Sequence, residues 1–153
     1  MSEFELYPEK PHLQKQVVRS NWGLTVFTIV LFIAVFLSLY SDLADFVFFL
    51  VLVLLVHEFG HFSMMKRFNY ENVRMLFIPL MGAFVQGSKD RYSQKESLMV
   101  VVFGPFPGII LGSIGLYLSG VYQMDWLLLL SFIFIFVNAI NLLPIDPLDG
   151  GQL

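Results

Sequence analysis

The sequence predicts an all-α polytopic membrane protein of four transmembrane helices, with a short re-entrant β-like segment between the second and third. Three observations lead there. Of the 153 residues, 57% are hydrophobic and only 14% charged, and the mean hydropathy is +0.73. A soluble domain is typically about 25% charged, so lipid is the predicted solvent for much of this surface. Apolar stretches of bilayer-spanning length recur along the chain, and every Lys and Arg falls in alternate loops, as the positive-inside rule requires of a chain that crosses repeatedly.

Residues 1–21 carry Glu3, Glu5, Glu9, Lys10, Lys15 and Arg19 ahead of any apolar run. The first run is too long for the core of a cleaved signal peptide, so 1–21 is expected as a cytoplasmic N-terminal segment and 22–153 as the membrane-embedded core. The predicted spans are 22–40, 43–65, 98–119 and 126–145; the first, third and fourth contain no charge. The second runs into His57-Glu58-Phe59-Gly60-His61 and reaches spanning length only if those polar residues are embedded. Facing lipid they would be costly, so they are expected to face a protein interior or a water-filled cavity. All nine Lys and Arg lie in 1–21 and 66–97, whereas the loops 41–45 and 120–125 carry only Asp42, Asp45 and Asp125. Both termini are therefore predicted to be cytoplasmic. Trp22, Tyr40, Tyr122 and Trp126 fall at predicted helix ends, where an aromatic belt forms.

Within the loop 66–97, the stretch 75–87 (MLFIPLMGAFVQG) is apolar but too short to span, and Pro79 and Gly82 oppose a helix. It reads either as an interfacial loop on the headgroups or as a re-entrant hairpin or strand against the helices, tolerated where protein or a polar cavity satisfies its backbone. In the third span Gly104, Gly108 and Gly112 recur every fourth residue, a smooth strip that lets helices approach closely. A kink at Pro105 and Pro107 that opens space near a site is the functional alternative.

The net charge of −3 gives no basic patch for nucleic acid. With no cysteine, disulfides are excluded and a metal site must draw on His, Asp or Glu. His57 and His61, four residues apart, share one helix face and can hold one metal ion. Glu58 is displaced around the helix yet close enough to reach a metal-bound water as general base. A structural hydrogen-bond cluster is the bland alternative. His12, the remaining histidine, lies in the polar N-terminal segment and is expected to be solvated. Catalytic zinc normally takes three protein ligands, and no further histidine lies in the spans, which leaves a carboxylate. The fourth span ends in Asn138-Ala139-Ile140-Asn141-Leu142-Leu143-Pro144-Ile145-Asp146-Pro147-Leu148-Asp149-Gly150-Gly151. The second and fourth spans run in the same direction, so Asp146 and Asp149 emerge on the same face as His57 and His61, as rival ligands.

HEFGH near the end of one span and NLLPIDPLDGG at the end of a later one resemble the site-2 proteases. These are polytopic zinc metalloproteases that cleave transmembrane clients in regulated intramembrane proteolysis. The resemblance covers 43–153. It implies one Zn2+ per chain held by His57, His61 and Asp149, with Glu58 as the catalytic glutamate that activates a zinc-bound water. Asn141 matches the asparagine of the family's Asn-x-x-Pro element, which helps hold substrate or the developing oxyanion. Residues 78–85 are similar to the family's re-entrant segment, and Gly104-Pro105 to a Gly-Pro element of its core helix. A strand edge near 84–86 is expected to pair with an unwound client. The implied partners are transmembrane protein substrates and the lipid bilayer, and the implied setting is a multi-pass protein of a prokaryotic plasma membrane. Asp146 departs from the pattern, since relatives often carry proline or an apolar residue there, and the chain stops where relatives begin another helix. A catalytically silent client-binding homologue and a metal transporter are the alternatives. A transporter should show polar residues along several spans, whereas the first span is apolar apart from scattered Thr and Ser.

Overall fold

The computed structural model describes residues 22–152; the segment 1–21, with His12, lies outside them, as does Leu153. Helix α1 (Trp22–Leu39) leads through a short 3-10 turn (Ser41–Leu43) into α2 (Ala44–Arg67). An antiparallel hairpin follows, β1 (Glu71–Ile78) with β2 (Gly82–Ser88), then α3 (Gln94–Val102), α4 (Pro105–Tyr122) and α5 (Asp125–Asn141), and a final 3-10 turn (Asp149–Gln152). The protein is mostly helical with one small sheet, and the apolar segment between the second and third predicted spans is a true β-hairpin.

By length and composition, Trp22–Leu39, Ala44–Arg67 and the stretch Gln94–Tyr122 could each cross a membrane. That last stretch is not one continuous helix, however: it breaks at Phe103 and Gly104, and Pro105 opens α4, where its missing N–H costs nothing. The third predicted span therefore divides, with its first turns in α3. The shorter α5 has 17 residues, which at about 1.5 Å each reach about 26 Å, slightly under a hydrocarbon core of about 30 Å. It stops before the predicted end at 145 because Pro144 disfavours helical geometry in the residue before it.

Two apolar clusters set the helices around α2. Phe32 of α1, Val47 and Val51 of α2, and Met75 and Phe77 of β1 form the first. The Phe32 ring stacks on Phe36 at 4.6 Å and meets Phe77 edge-on at 6.2 Å. Val53 of α2 with Ile133 and Phe134 of α5 forms the second. Helices α4 and α5 meet along the glycine strip: a Cβ on Gly112 would strike Phe134 and Ile135, and one on Gly115 would fall on Ser131. Close approach is thus enforced by the absence of side chains. Outside these contacts Phe27, Phe48, Tyr117 and Phe132 are exposed, apolar surface suited to lipid.

A polar clasp closes the end of the molecule that bears the site. The Ser93 hydroxyl accepts from the Glu96 N–H, and Glu96 returns to the Ser93 N–H, a capping box that starts α3. The Lys89 ammonium donates to Glu96 at 2.8 Å and to the Phe68 carbonyl at 2.7 Å, tying the hairpin exit and the start of α3 to the end of α2.

Candidate metal centre

His57, Glu58 and His61 all face inward from α2 and are nearly inaccessible, at 4%, 4% and 8% exposure. Two small residues allow this. Gly60, inside the motif, lets the break between α3 and α4 press against α2: a Cβ there would collide with the Phe103 carbonyl. A Cβ on Gly104 would occupy the His61 ring. The Gly-Pro element and the glycine strip therefore shape the site as well as the helix packing, whereas Pro105 and Pro107 sit in the first turn of an unbroken α4.

The protonation pattern of the two imidazoles follows from their partners. His61 Nδ1 lies 2.8 Å from the Val100 carbonyl, which can only accept. That carbonyl is available because α3 ends two residues later and leaves its last acceptors without helical partners. His57 Nδ1 lies 2.8 Å from Asn138 Oδ1. The Asn138 amide is oriented by its own Nδ2, which donates 2.7 Å to the Phe134 carbonyl, so Oδ1 accepts from His57. Both rings hence carry hydrogen on Nδ1 and turn Nε2 toward each other, 3.1 Å apart.

Asp149 completes the group. Its Oδ2 lies 3.0 Å from His57 Nε2 and 3.2 Å from His61 Nε2. The chain returns to this point by folding sharply after α5. Leu148 N–H donates to the Ile145 carbonyl and Gly151 N–H to the Leu148 carbonyl, while Gly150 packs so tightly that a Cβ would strike the Leu142 carbonyl. The glycines of Leu-Asp-Gly-Gly thus serve the turn that delivers the aspartate. Asp146 is exposed and takes no part in this cluster.

Two imidazole lone pairs and a carboxylate oxygen converging within 3.2 Å repel one another unless something positive lies among them. A tetrahedral ion with Zn–N and Zn–O bonds of about 2.0–2.1 Å separates its ligand atoms by about 3.3 Å, close to the spacing present, so the donor set fits zinc. Among the described residues this is the one group of three or more His, Asp or Glu side chains so arranged. Burial alone would raise the Asp149 carboxyl, but hydrogen bonds from His57 and His61 and their charges outweigh it and hold it down to about 2.

A cavity of about 290 Å³ opens beside this cluster. Glu58, Asn141, Met81 and Phe84 help line it, with the backbone of β2 as one wall. The Val85 N–H is an electrostatic neighbour of the Glu58 carboxylate. Asn141 lies on this wall with its Nδ2 donating to the Val137 carbonyl at 3.0 Å, which leaves Oδ1 and one N–H for other partners.

The structure thus brings together His57, Glu58, His61, Asn141 and Asp149. Sequence reading missed Asn138 and the Val100 carbonyl, which fix the two imidazoles. For Asn138 a signal existed: an amide inside an apolar span is costly unless it serves something.

Fold and site together define a membrane-type helical protein with a His-His-Asp centre and a buried glutamate beside it. Residues 45–125, more than half of the chain, match the model of peptidase family M50, and the chain belongs to that family. His57, Glu58 and His61 fall inside the matched stretch, Asn141 and Asp149 beyond it. The chain is 31% identical over 106 residues to stage IV sporulation protein FB of Bacillus subtilis, covering 68% of this chain and 37% of that protein. It is 26% identical over 137 residues to a zinc metalloprotease of Methanocaldococcus jannaschii, covering 82% and 39%. The chain thus spans about two fifths of the length of these relatives. The solved site-2 protease from Methanocaldococcus jannaschii shares the fold, with a TM-score of 0.64 at 23% identity over 82% of this chain and 62% of that one.

Proposed function

We propose that this chain is the core of an intramembrane zinc metalloprotease that hydrolyses peptide bonds of transmembrane protein clients. The observation that carries the reading is the meeting of two Nε2 atoms and one carboxylate oxygen at 3.0–3.2 Å, beside a buried glutamate and a cavity, in a chain whose outer surface is apolar. Family membership and the name of the archaeal relative support zinc as the ion and proteolysis as the reaction.

His57, His61 and Asp149 are the proposed ligands of one zinc per chain. When bound, zinc would lower the pKa of water to about 7 and polarise a scissile carbonyl. Glu58 would take the proton of the attacking water and pass it to the leaving amine. Asn141, on the cavity wall, is the proposed donor to the developing oxyanion. The outward edge of β2 forms another wall and offers backbone groups to a client segment that has unwound.

Four crossings (α1, α2, α4 with its α3 extension, and α5) follow from the apolar runs and the charge pattern, with both termini cytoplasmic. The site would lie near the cytoplasmic side, since Lys66, Arg67, Lys89 and Arg91 cluster at its end of the molecule and Asp42, Asp45 and Asp125 at the other. The division into a cytoplasmic segment 1–21 and a catalytic core 22–153 belongs to the same proposal. A prokaryotic plasma membrane is the proposed setting, in keeping with bacterial and archaeal relatives.

The test is cleavage of a model peptide, an apolar transmembrane helix interrupted by a central Gly-Pro pair, by purified zinc-loaded protein. Glu58→Gln should lower the rate by about 10²–10⁴ while zinc stays bound, the range spanned by positioned acid–base groups. Equal cleavage by wild type and Glu58→Gln would remove Glu58 from the reaction. Zinc-loaded wild type that binds the peptide without cutting it would favour a silent homologue instead.

A further inference from the structure

We infer that Thr25 and Thr28 of α1 are positioning residues: their hydroxyls close the outer edge of β1, so that β2, over Glu58, is the edge left to take an extended segment. The inference rests on the proteolytic reading and goes on to say what orients the hairpin within it.

A two-stranded sheet has two edges, and each presents backbone N–H and C=O groups that can pair with another chain. At membrane depth there is no water to satisfy them, so an edge must be paired, covered or turned to a polar cavity. The hairpin treats its two edges differently. Thr25 Oγ1 donates to the Met75 carbonyl at 2.8 Å, and Thr25 is buried. The Phe77 N–H donates to Thr28 Oγ1 at 3.3 Å, and that hydroxyl donates in turn to the Thr25 carbonyl at 2.9 Å. Met75 and Phe77 are two residues apart, so their backbone groups leave the same side of β1, and α1 occupies that side with two hydroxyls at helical spacing.

The register then fixes the other edge. Met75 pairs with Val85 and Phe77 with Ala83. Because Met75 and Phe77 turn their backbone groups away from β2, these are the pairs that do not exchange hydrogen bonds. Val85 and Ala83 must likewise turn theirs away from β1, toward the cavity that both residues line. The Val85 N–H beside Glu58 is the visible consequence. The two threonines therefore do two things at once. They hold β1 against α1, which sets where β2 lies relative to Glu58, and they occupy the edge that would compete for an extended segment.

If the hairpin's position sets where a paired segment meets Glu58, loosening it must change which bond is cut. A purely structural role would change only how much protein folds or how fast it cuts. Thr25→Val with Thr28→Val keeps the side-chain shape and removes both hydroxyls; Thr25→Ser with Thr28→Ser keeps the hydroxyls. Zinc-loaded proteins of each kind would be given the Gly-Pro transmembrane peptide, with products identified by mass, and backbone exchange at Phe77 followed in parallel. The expected result is a single cut bond for wild type and the serine pair, and several or displaced cut bonds for the valine pair at unchanged zinc content. Phe77 should exchange about fivefold faster in the valine pair, the effect of one lost hydrogen bond. An unaltered cut bond in the valine pair, whether or not the rate falls, overturns the inference and leaves the proteolytic reading standing. If zinc-loaded wild type cuts no bond, the proteolytic reading falls, and unaltered Phe77 exchange in the valine pair would overturn the edge closure as well.

Discussion

The two halves of α2 each bury a few residues deeply, by opposite means. In the first, residues 44–56, Val47, Val51 and Val53 are at most 7% exposed and pack into apolar clusters. In the second, His57, Glu58 and His61 are as deeply buried, and the two histidines are held by named polar partners from elsewhere in the chain. Asn138 of α5 serves His57, Val100 of α3 serves His61, and Asp149 faces both. Apolar burial is non-directional and tolerates approximate fit; polar burial is directional, and one missing partner leaves a costly unsatisfied group. The first half of the helix therefore holds the fold, whereas the second depends on the whole fold to exist.

That contrast can be broken from either side. The largest effect is expected from Glu58→Gln, which touches chemistry alone: hydrolysis of the Gly-Pro peptide falls by about 10²–10⁴ with zinc retained. Next comes Asn138→Ala, which frees the His57 ring to turn. Zinc affinity, measured by competition with a chromogenic chelator, should weaken by about 10–100-fold, the usual consequence of removing the partner of a metal-bound histidine. Gly108→Ala acts on the same amide at one remove, since its Cβ would meet the Asn138 side chain. A weakening at the lower end, about tenfold, is expected. Val51→Ala, in the apolar half, should lower stability by about 2 kcal/mol in denaturant unfolding and leave zinc affinity unchanged. If Val51→Ala instead cost as much zinc affinity as Asn138→Ala, the two halves would not be separable. Acidification should weaken zinc binding, because metal ligands bind only when deprotonated, and Asp149, held down to about 2, should contribute almost nothing to that loss above pH 4.

Much of this was legible because the sequence repeats simple physical signals. The apolar runs, the one-sided Lys and Arg, and the pairing of HEFGH with a later Leu-Asp-Gly give the helices, the donor set and the place where they meet. The fine boundaries were not legible. Residues 98–102 are as apolar as those after them, so nothing in hydropathy separates α3 from α4; Gly104-Pro105 marks the break, and only tertiary packing shows that its freed carbonyl serves His61. Asp146 and Asp149 could not be told apart by composition or topology, because the difference lies in how the chain turns over Gly150. The supporting groups were least visible of all. A backbone carbonyl has no sequence signature, and Thr25 and Thr28 look like the scattered hydroxyls that many membrane helices carry.

The central claim is that His57, His61 and Asp149 form one zinc site, and metal content tests it without any client. Purified wild-type protein, Asp149→Ala and Asp146→Ala would be loaded with zinc, freed of excess and analysed for metal. The account predicts about one zinc per chain in wild type and in Asp146→Ala, and a large loss in Asp149→Ala. Well-folded wild type that retains no zinc, or loss with Asp146 rather than Asp149, would contradict it.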